Sequence, residues 1–207
     1  MTREALLREG LRRLGIDPGD GACDTLLRYV DLLAKWNRVY NLTAIRDPQQ
    51  MLVQHLLDSL SVLPVLPAMA TLADVGTGGG LPGIPVAIMR PAMQVSLIET
   101  SSKKASFLQQ ARIELGLTRV EVCSARVENL VERQFEGIIS RAFAELALFV
   151  DLCGKHLAPG GRLYAMKGVY PQSEVAALPP GWEVESSHAL DVPFLEAERH
   201  LLIIRKA

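Results

Sequence analysis

The stretch ADVGTGGGLPGIP, residues 73–85, decides the fold because it sets five glycines within eight positions, directly after a short apolar segment. Glycine lets a backbone turn tightly and lets another group approach it closely. A buried strand followed by such a loop and then a helix is typical of open α/β sheets, in which ligands dock at the carboxyl ends of the strands. The stretch therefore predicts a strand, a binding loop and a helix in that order.

Short apolar runs alternate with helical patterns from residue 71 onward. The predicted strands are LADVG, VSLIE, VEVCSA, GIISRA and GRLYAMKG, and the predicted helices cover residues 84–89, 103–115, 127–131 and 144–156. Such alternation predicts a mostly parallel sheet with helical crossovers. The last two runs, WEVESSHAL and HLLIIRK, are joined by a segment without helical periodicity and predict a terminal antiparallel hairpin. This Rossmann-like, seven-stranded α/β layout is that of the class I S-adenosylmethionine-dependent methyltransferases.

The chain before this region has a helical pattern. Leucines at helical spacing predict helices over residues 3–14 and 23–36, and a third helix begins at the N-cap Asp47 with Pro48 in its first position. This third helix is predicted to run to about Leu63. We expect an N-terminal helical cap over residues 1–66 and a methyltransferase domain over residues 67–207.

Composition limits the possible partners and location. The chain has 207 residues, a formal net charge of −1 and 49% hydrophobic residues, which is typical of a globular protein. Because the chain has no overall positive charge, it would have to bind RNA through a local basic patch. The charged N-terminus and the absence of a long apolar run predict a cytoplasmic protein without membrane contact. Three isolated cysteines and scattered histidines predict neither disulfides nor a metal site.

The glycine loop fits two cofactor patterns. Gly76-x-Gly78-x-Gly80 is the pattern seen where S-adenosylmethionine binds, whereas Gly78-x-Gly80-x-x-Gly83 satisfies the dinucleotide fingerprint. Glu99, at the end of VSLIE, could accept hydrogen bonds from the ribose hydroxyls of either cofactor. The first glycine directly after the strand, a Pro-Gly-Gly turn before the fifth strand and the terminal hairpin favour S-adenosylmethionine. A nicotinamide-dependent oxidoreductase remains the alternative from another class.

The choice of methyl acceptor is narrowed because the motifs that several other acceptors require are missing from the sequence. The three cysteines lack the Pro-Cys context of pyrimidine carbon-5 enzymes, and the segment after the fourth predicted strand has no Asn-Pro-Pro-aromatic motif for amines. The Lys-Asp-Lys-Glu set that serves ribose oxygens cannot be assembled. A ring nitrogen such as guanine N7 carries a lone pair and no proton, so orientation alone can suffice. The pattern is compatible with N7 chemistry and leaves other RNA bases open.

Ordered motifs along nearly the whole chain resemble one family. From about Leu27 they are Lys35-Trp36-Asn37, Tyr40-Asn41-Leu42-Thr43, Arg46-Asp47-Pro48, His55-x-x-Asp58-Ser59, the glycine loop, Lys103-Lys104, Ser140-Arg141-Ala142, Lys167-Gly168 and Glu198-Arg199-His200. The sequence resembles the bacterial small-subunit ribosomal RNA guanine-N7 methyltransferases, formerly called glucose-inhibited division protein B. It departs from their pattern at Gly79, where proline or alanine is common, and at Thr100, where serine is common; Gly79 should make the loop slightly more flexible.

This resemblance implies methyl transfer from S-adenosylmethionine to guanine N7 at position 527 of 16S rRNA, without a general base. It implies cofactor contacts at Gly76, Leu81, Val127-Glu128 and Arg141. Together with the loop and the ribose carboxylate, the expected cofactor-binding residues are Gly76, Gly78, Gly80, Leu81, Glu99, Val127, Glu128 and Arg141. The expected partner is 16S rRNA within the small ribosomal subunit or its precursor, met by a monomer. A non-catalytic ribosome-assembly or cell-division factor is the third alternative.

Several polar residues are candidates for the substrate side. Arg141, at the predicted end of the fourth strand, is expected to position the cofactor or the guanine, and Arg126 is a second positioning candidate. The substrate-side candidates are Lys103, Lys104, Lys167, Asn41, His55 and Asp58, and the lysines with Arg126 could supply the basic patch. His55, Asp58 and Ser59 share one helix and cannot form a catalytic triad, so they either join the cap to the sheet or face the substrate. Trp36 and Tyr40 either stack on a base or pack in the core.

Overall fold

A computed structural model describes residues 1–141, 143 and 145–207. Ala142 of the Ser-Arg-Ala motif and Ala144, the predicted start of a helix, lie outside the described residues. Within the described residues, seven strands form one sheet in the order β3-β2-β1-β4-β5-β7-β6. The strands are β1 Thr71–Val75, β2 Gln94–Ile98, β3 Val120–Cys123, β4 Phe135–Ser140, β5 Leu157–Lys167, β6 Trp182–Ala189 and β7 His200–Lys206.

The direction of β7 matters for the site. Strands β1 to β5 pair in parallel, whereas β7 lies antiparallel to both β5 and β6. The predicted terminal hairpin and the predicted α/β fold are therefore confirmed. Because β7 runs in the opposite direction, its first residues lie at the same sheet edge as the carboxyl ends of the parallel strands, with His200 opposite Lys167.

Three helical segments precede the sheet. They are α1 Arg3–Arg13, α2 Ala22–Tyr40, and α3, which is α-helical over Pro48–Met51, π-helical over Leu52–Leu57 and α-helical again over Asp58–Leu60. The Asp47 carboxylate accepts a hydrogen bond from the Gln50 N–H at 3.0 Å, so the predicted N-cap is confirmed. The helix ends at Leu60 instead of the expected Leu63. Its π-helical part carries His55, and such wide turns are frequent at functional sites.

The connections between strands include four helices within the described residues: α4 Gly83–Met89, α5 Ser102–Glu114, α6 Leu146–Cys153 and α7 Gln172–Ala176. The helix expected at 127–131 is wrong, because only a 3₁₀ turn, Val127–Asn129, forms there. Val127 is buried, but Val131 is 80% exposed, so a longer helix would bury little apolar surface. The helix expected at 144–156 ends at Cys153 and continues as a 3₁₀ turn, Gly154–His156.

The Pro-Gly-Gly segment lies inside β5 instead of before it. Phe135 of β4 pairs with Leu157, and Gly137 of β4 pairs with Arg162, so β5 carries extra residues between these two pairs. The extra residues form a bulge in the ladder. This irregularity lies at the sheet edge opposite the carboxyl ends of the strands and so does not shape the site.

The described core residues form two clusters. The larger cluster joins α1, α2 and α3 to residues of the sheet and of α4 and α5, whereas the smaller one packs α6 with β4, β5 and β7. Within the larger cluster Tyr29 of α2 is fully buried, and its hydroxyl donates a hydrogen bond to the Gly79 carbonyl at 2.6 Å. The N-terminal helices therefore fix the glycine loop directly.

Close packing at the start of α4 yields a stability prediction. A Cβ at Gly83 would lie 2.3 Å from Leu97 Cδ2 and 2.8 Å from Asp74 Oδ2. We expect Gly83→Ala to lower the free energy of unfolding in urea by about 2 kcal/mol, because overpacking forces the neighbours to move. At Gly168, an added Cβ would approach no described atom closer than Glu198 O at 3.9 Å, so Gly168→Ala is the control. Equal stability of the two variants would contradict this packing.

Candidate active site

The loop glycines fall into two structural groups. Gly76 and Gly78 have φ angles of +68° and +60°, and a Cβ added to them would approach no described atom closer than Phe143 Cδ2 at 3.6 Å. At Gly80, by contrast, an added Cβ would lie 2.4 Å from Ile84 Cδ1. The first two glycines therefore leave open space beside the backbone, whereas Gly80 and Gly83 allow close internal packing.

The Asp74 carboxylate holds the loop at both ends. It is fully buried at the end of β1, and its Oδ2 accepts hydrogen bonds from the Thr77 hydroxyl at 2.6 Å and the Gly83 N–H at 2.7 Å. Its Oδ1 is buried without a hydrogen-bond partner among the described residues. Burial raises the pKa of Asp74 to about 6, although these two donors favour the charged form. Asp74 was not among the predicted site residues; a carboxylate at the end of an apolar strand was the available signal.

Glu99 is also fixed by the backbone. Its Oε2 accepts the Gly78 N–H at 2.9 Å, and its Oε1 accepts the Ser101 N–H at 2.8 Å, while the residue is 6% exposed. Each carboxylate oxygen can accept a further hydrogen bond. The carboxylate is thus oriented next to the open glycines, with capacity left for hydroxyl donors such as those of a ribose.

A first cleft of about 290 Å³ opens at Gly76 and at Thr100, the residue after Glu99. Its described lining is Val75, Gly76, Ile98, Thr100, Ala125, Arg126, Val127, Glu128, Phe143 and Leu152. The structure thus brings Gly76, Arg126, Val127 and Glu128 together. Apolar walls with a few polar groups are typical of small-ligand sites. The cleft has the chemistry to hold a flat, largely apolar ring system with a polar edge.

A second cleft of about 360 Å³ lies on the other side of the β4 end. Its described lining is Ile45, Gln54, His55, Asp58, Arg141, Met166, Lys167, Gly168 and Arg199. Asp58, whose side chain is 4% exposed, accepts from Arg141 Nη1 at 3.2 Å and from Arg199 Nε at 2.7 Å. Lys167 Nζ is paired with Glu174 Oε2 at 2.7 Å, so the three cationic side chains face two carboxylates. Among these described residues one excess positive charge remains, which suits an anionic ligand.

His55 is held in the same cleft as a neutral ring. Its Nε2 lies 2.7 Å from the Thr43 hydroxyl and its Nδ1 lies 3.2 Å from the Gln54 carbonyl oxygen. Burial lowers the pKa of His55 to about 4, and the nearby Arg141 charge acts in the same direction. At neutral pH the ring is uncharged, and both of its nitrogens have protein partners.

One hydrogen bond places the two clefts side by side. The Ser140 hydroxyl at the end of β4 donates to the Val75 carbonyl at the end of β1, at 2.8 Å. The next residues, Gly76 and Arg141, line the first and the second cleft respectively. The two clefts therefore open at the ends of neighbouring strands, whose backbones are one strand spacing, about 4.8 Å, apart.

The remaining predicted site residues do not come together in one place. Leu81 is buried in the core, and Asn41 is exposed at the end of α2. Lys103 and Lys104 lie at the start of α5. Arg126 follows β3 and Lys167 ends β5, so four strand spacings, roughly 19 Å, separate their backbones. The four basic residues therefore do not form a single patch.

Sequence reasoning missed two residues that shape the second cleft. Arg199 contacts Asp58, and the Asn37 side chain binds the backbone of Thr43 at 2.8 Å and of Ile45 at 2.9 Å. Both residues belong to motifs that carry the family resemblance, but neither was predicted to have a role in the site. Arg199 could have been found from the predicted hairpin, because the first residues of an antiparallel last strand lie at the binding edge. Asn37 has no comparable signal, since its role depends on how the loop folds back.

The family model described as rRNA small subunit methyltransferase G matches residues 22–202. The chain belongs to this family. A protein named ribosomal RNA small subunit methyltransferase G from Azoarcus sp. (strain BH72) is 56% identical over 201 residues, which is 97% of this chain and 95% of its own. The protein of the same name from Neisseria meningitidis serogroup C is 52% identical over 206 residues and 100% of both chains.

A solved structure supports the fold independently. The mitomycin 7-O-methyltransferase MmcR superposes with a TM-score of 0.62 at 16% identity, over 73% of this chain and 54% of its own. The protein is an S-adenosylmethionine-dependent rRNA methyltransferase with a class I fold. No helix among the described residues is long and apolar enough to cross a membrane.

Two buried groups predict opposite responses of stability to pH. The pKa of Asp74 is raised from 3.8 to about 6, so its contribution to the free energy of unfolding falls as the pH rises through that window. The pKa of His55 is lowered from 6.5 to about 4, so its contribution falls as the pH decreases from 6.5 to 4. Each effect is about 3 kcal/mol, and in the wild type they largely cancel.

Single substitutions should separate the contributions of Asp74 and His55 to the pH dependence of stability. Between pH 6.5 and 4, acidification should destabilise Asp74→Asn, which retains His55, and stabilise His55→Gln, which retains Asp74. Urea unfolding at several pH values measures both slopes relative to the wild type. Identical slopes for the two variants would show that these groups are not buried as described.

Proposed function

We propose that this methyltransferase modifies N7 of a guanine at position 527 of 16S rRNA, within the small subunit or its precursor. The observation that carries the proposal is the pair of clefts on either side of the Ser140–Val75 hydrogen bond. A chain with a net charge of −1 has little long-range attraction for RNA, which favours a structured particle as the substrate. A cytoplasmic monomer remains part of the proposal.

The first cleft fits S-adenosylmethionine. Gly76 and Gly78 leave room beside the backbone for the methionine and ribose portions, and Glu99 is oriented to accept from the ribose hydroxyls. The apolar walls formed by Ile98 and Leu152, with the backbone at Val127, suit adenine. When bound, the cofactor supplies an activated methyl group on a sulfonium. The protein residues need only hold that methyl toward the second cleft.

The second cleft suits an acceptor that has no proton to lose. The bases in its described lining are already engaged, since Asp58 binds two arginines and His55 is neutral with both nitrogens partnered. Guanine N7 offers its lone pair directly to the methyl carbon, so orientation can replace a general base. An amine or hydroxyl acceptor would have to release a proton, for which these engaged groups are poorly placed.

Arg141 is the main candidate for orienting the guanine. Its Nη1 donates to Asp58 and to the Gln54 carbonyl at 3.3 Å, which fixes the guanidinium. Its Nε and Nη2 have no hydrogen-bond partner among the described residues, so they can donate to guanine O6. A donor placed on N7 itself would block the nucleophile, and the restraint from Asp58 helps to keep the donors on O6. Arg199 and Lys167 are suited to the phosphates next to the target.

Ligand binding at the first cleft can be tested with S-adenosylhomocysteine. At a hundredfold excess over its Kd the ligand should stabilise the wild type by about 2.7 kcal/mol, whereas NAD should not. Gly76→Ala should weaken binding at least tenfold, because its methyl group enters the cleft. Gly116→Ala is the matched control, since its φ of +67° is nearly the same and no described atom lies within 4 Å of an added Cβ. An equal loss of S-adenosylhomocysteine affinity in both variants would mean that backbone strain, and not the methyl group in the cleft, weakens binding.

The reaction itself can be tested with tritiated methyl donor and small subunits from a strain that lacks this protein. We expect one labelled guanine, methylated at N7, and label on an amine or a ribose would overturn the proposal. Arg141→Ala should lower kcat about a hundredfold while S-adenosylhomocysteine binding is retained. Arg162→Ala is the control, because Arg162 is similarly ion-paired, to Glu185 at 2.7 Å, but lies away from both clefts. Unchanged turnover in Arg141→Ala would exclude the orienting role.

A further inference from the structure

We propose that the end of α2 and the start of α5 form a docking surface for an unpaired nucleotide of the RNA substrate. This surface, called the Tyr40 surface, consists of Lys35, Tyr40, Lys103 and Lys104. It rests on the rRNA methyltransferase activity proposed above and adds a second RNA contact outside both clefts. Its ligand is a nucleotide near the target, recognised by its aromatic face and its phosphate.

The packing of α2 against α5 brings these residues to one end of the helix pair. Arg28 Nη2 donates to the Glu114 carbonyl at 2.5 Å, and the rings of Trp36 and Phe107 lie 5.7 Å apart. Residue numbers therefore rise along α2 as they fall along α5, so the two helices are antiparallel. One further turn places Tyr40 level with the start of α5. Lys35 lies seven residues after Arg28 and so on the flank that faces α5.

The Tyr40 ring packs on Trp36 and is partly exposed to solvent. It stacks on Trp36 with a centroid distance of 5.1 Å and an interplanar angle of 28°, and Trp36 in turn contacts Phe107. Tyr40 nevertheless keeps 43% of its surface exposed. An exposed aromatic ring that is held in a fixed orientation can stack a nucleobase with little loss of side-chain entropy.

The charges around this ring are suited to phosphate. Lys35 and Lys103 are exposed and Lys104 is half-buried, and none of the three forms an ion pair with a described residue. Many arginines elsewhere are neutralised by carboxylates, as Arg3 is by Asp31 and Arg133 by Glu121. A chain of net charge −1 therefore presents local positive charge here, complementary to the RNA backbone.

The surface is connected to the cofactor side of the site. α5 begins three residues after Glu99, and α2 reaches the glycine loop through the hydrogen bond from Tyr29 to Gly79. α5 thus begins at the sheet edge where the clefts open, and the antiparallel α2 ends level with it. An RNA strand with its target guanine in the second cleft can extend along this edge to Tyr40.

Substitutions separate stacking from charge. Tyr40→Ala should raise KM for small subunits about 5- to 100-fold, whereas Tyr40→Phe, which keeps the ring, should stay within about twofold of the wild type. Replacing both Lys103 and Lys104 by Gln should reduce the slope of log affinity against log salt by about 1.4. The stability shift with S-adenosylhomocysteine should not change. Controls are Phe194→Ala, another exposed aromatic residue, and Lys206→Gln at the opposite sheet edge.

A photo-crosslinking group at the same position identifies the partner. With p-benzoylphenylalanine at position 40, crosslinks to 16S rRNA in small subunits would support the proposal. Crosslinks to a ribosomal protein, no crosslink, or an unchanged KM for Tyr40→Ala would overturn it. If the wild type itself methylates no guanine N7 in these subunits, the proposed function fails instead, so the two failures are distinguishable.

Discussion

The buried Asp74 carboxylate is the constraint on which the conformation of the glycine loop depends. A loop with so many glycines would sample many conformations, yet Thr77 and Gly83 both donate to one oxygen of Asp74 and so fix the start and end of the loop. The hydroxyl of Tyr29 and the carboxylate of Glu99 fix the residues between them. Burial still disfavours the charged form, as the raised pKa of Asp74 shows. The surroundings therefore restrain the loop, and the glycines supply space.

The N-terminal helical part lines the second cleft as well as contributing to the core. Asp58 of α3 binds arginines that follow β4 and precede β7, so one carboxylate connects the helical part to two strands. Removing such a buried partner would leave charges without compensation, which typically costs several kcal/mol. The same contact restrains the guanidinium of Arg141. The same ion pairs that join the helical part to the sheet therefore also fix the guanidinium for which the orienting role is proposed.

Much of the fold could be predicted because its strands and helices carry their periodicity locally. The apolar runs identified each parallel strand, and Asp47 with Pro48 identified the start of α3. The prediction at 127–131 was wrong because spacing alone does not show whether Val131 is buried. The site was harder to predict, since its contacts join distant segments. Arg199 lies 141 residues from Asp58, and no local pattern specifies that pair.

A protein of almost zero net charge can recognise RNA if its cations are distributed unequally between solvent and partners. Along α1 and on the hairpin, arginines pair with glutamates, and these pairs contribute little field at a distance. At the carboxyl edge of the sheet, by contrast, Arg141 and Arg199 share one carboxylate, and Lys103 has no ion-pair partner among the described residues. The field of these few cations is short in range at physiological ionic strength. Such a field contributes little to capture of RNA from a distance and mainly favours orientation after contact, which suits a substrate already folded into a particle.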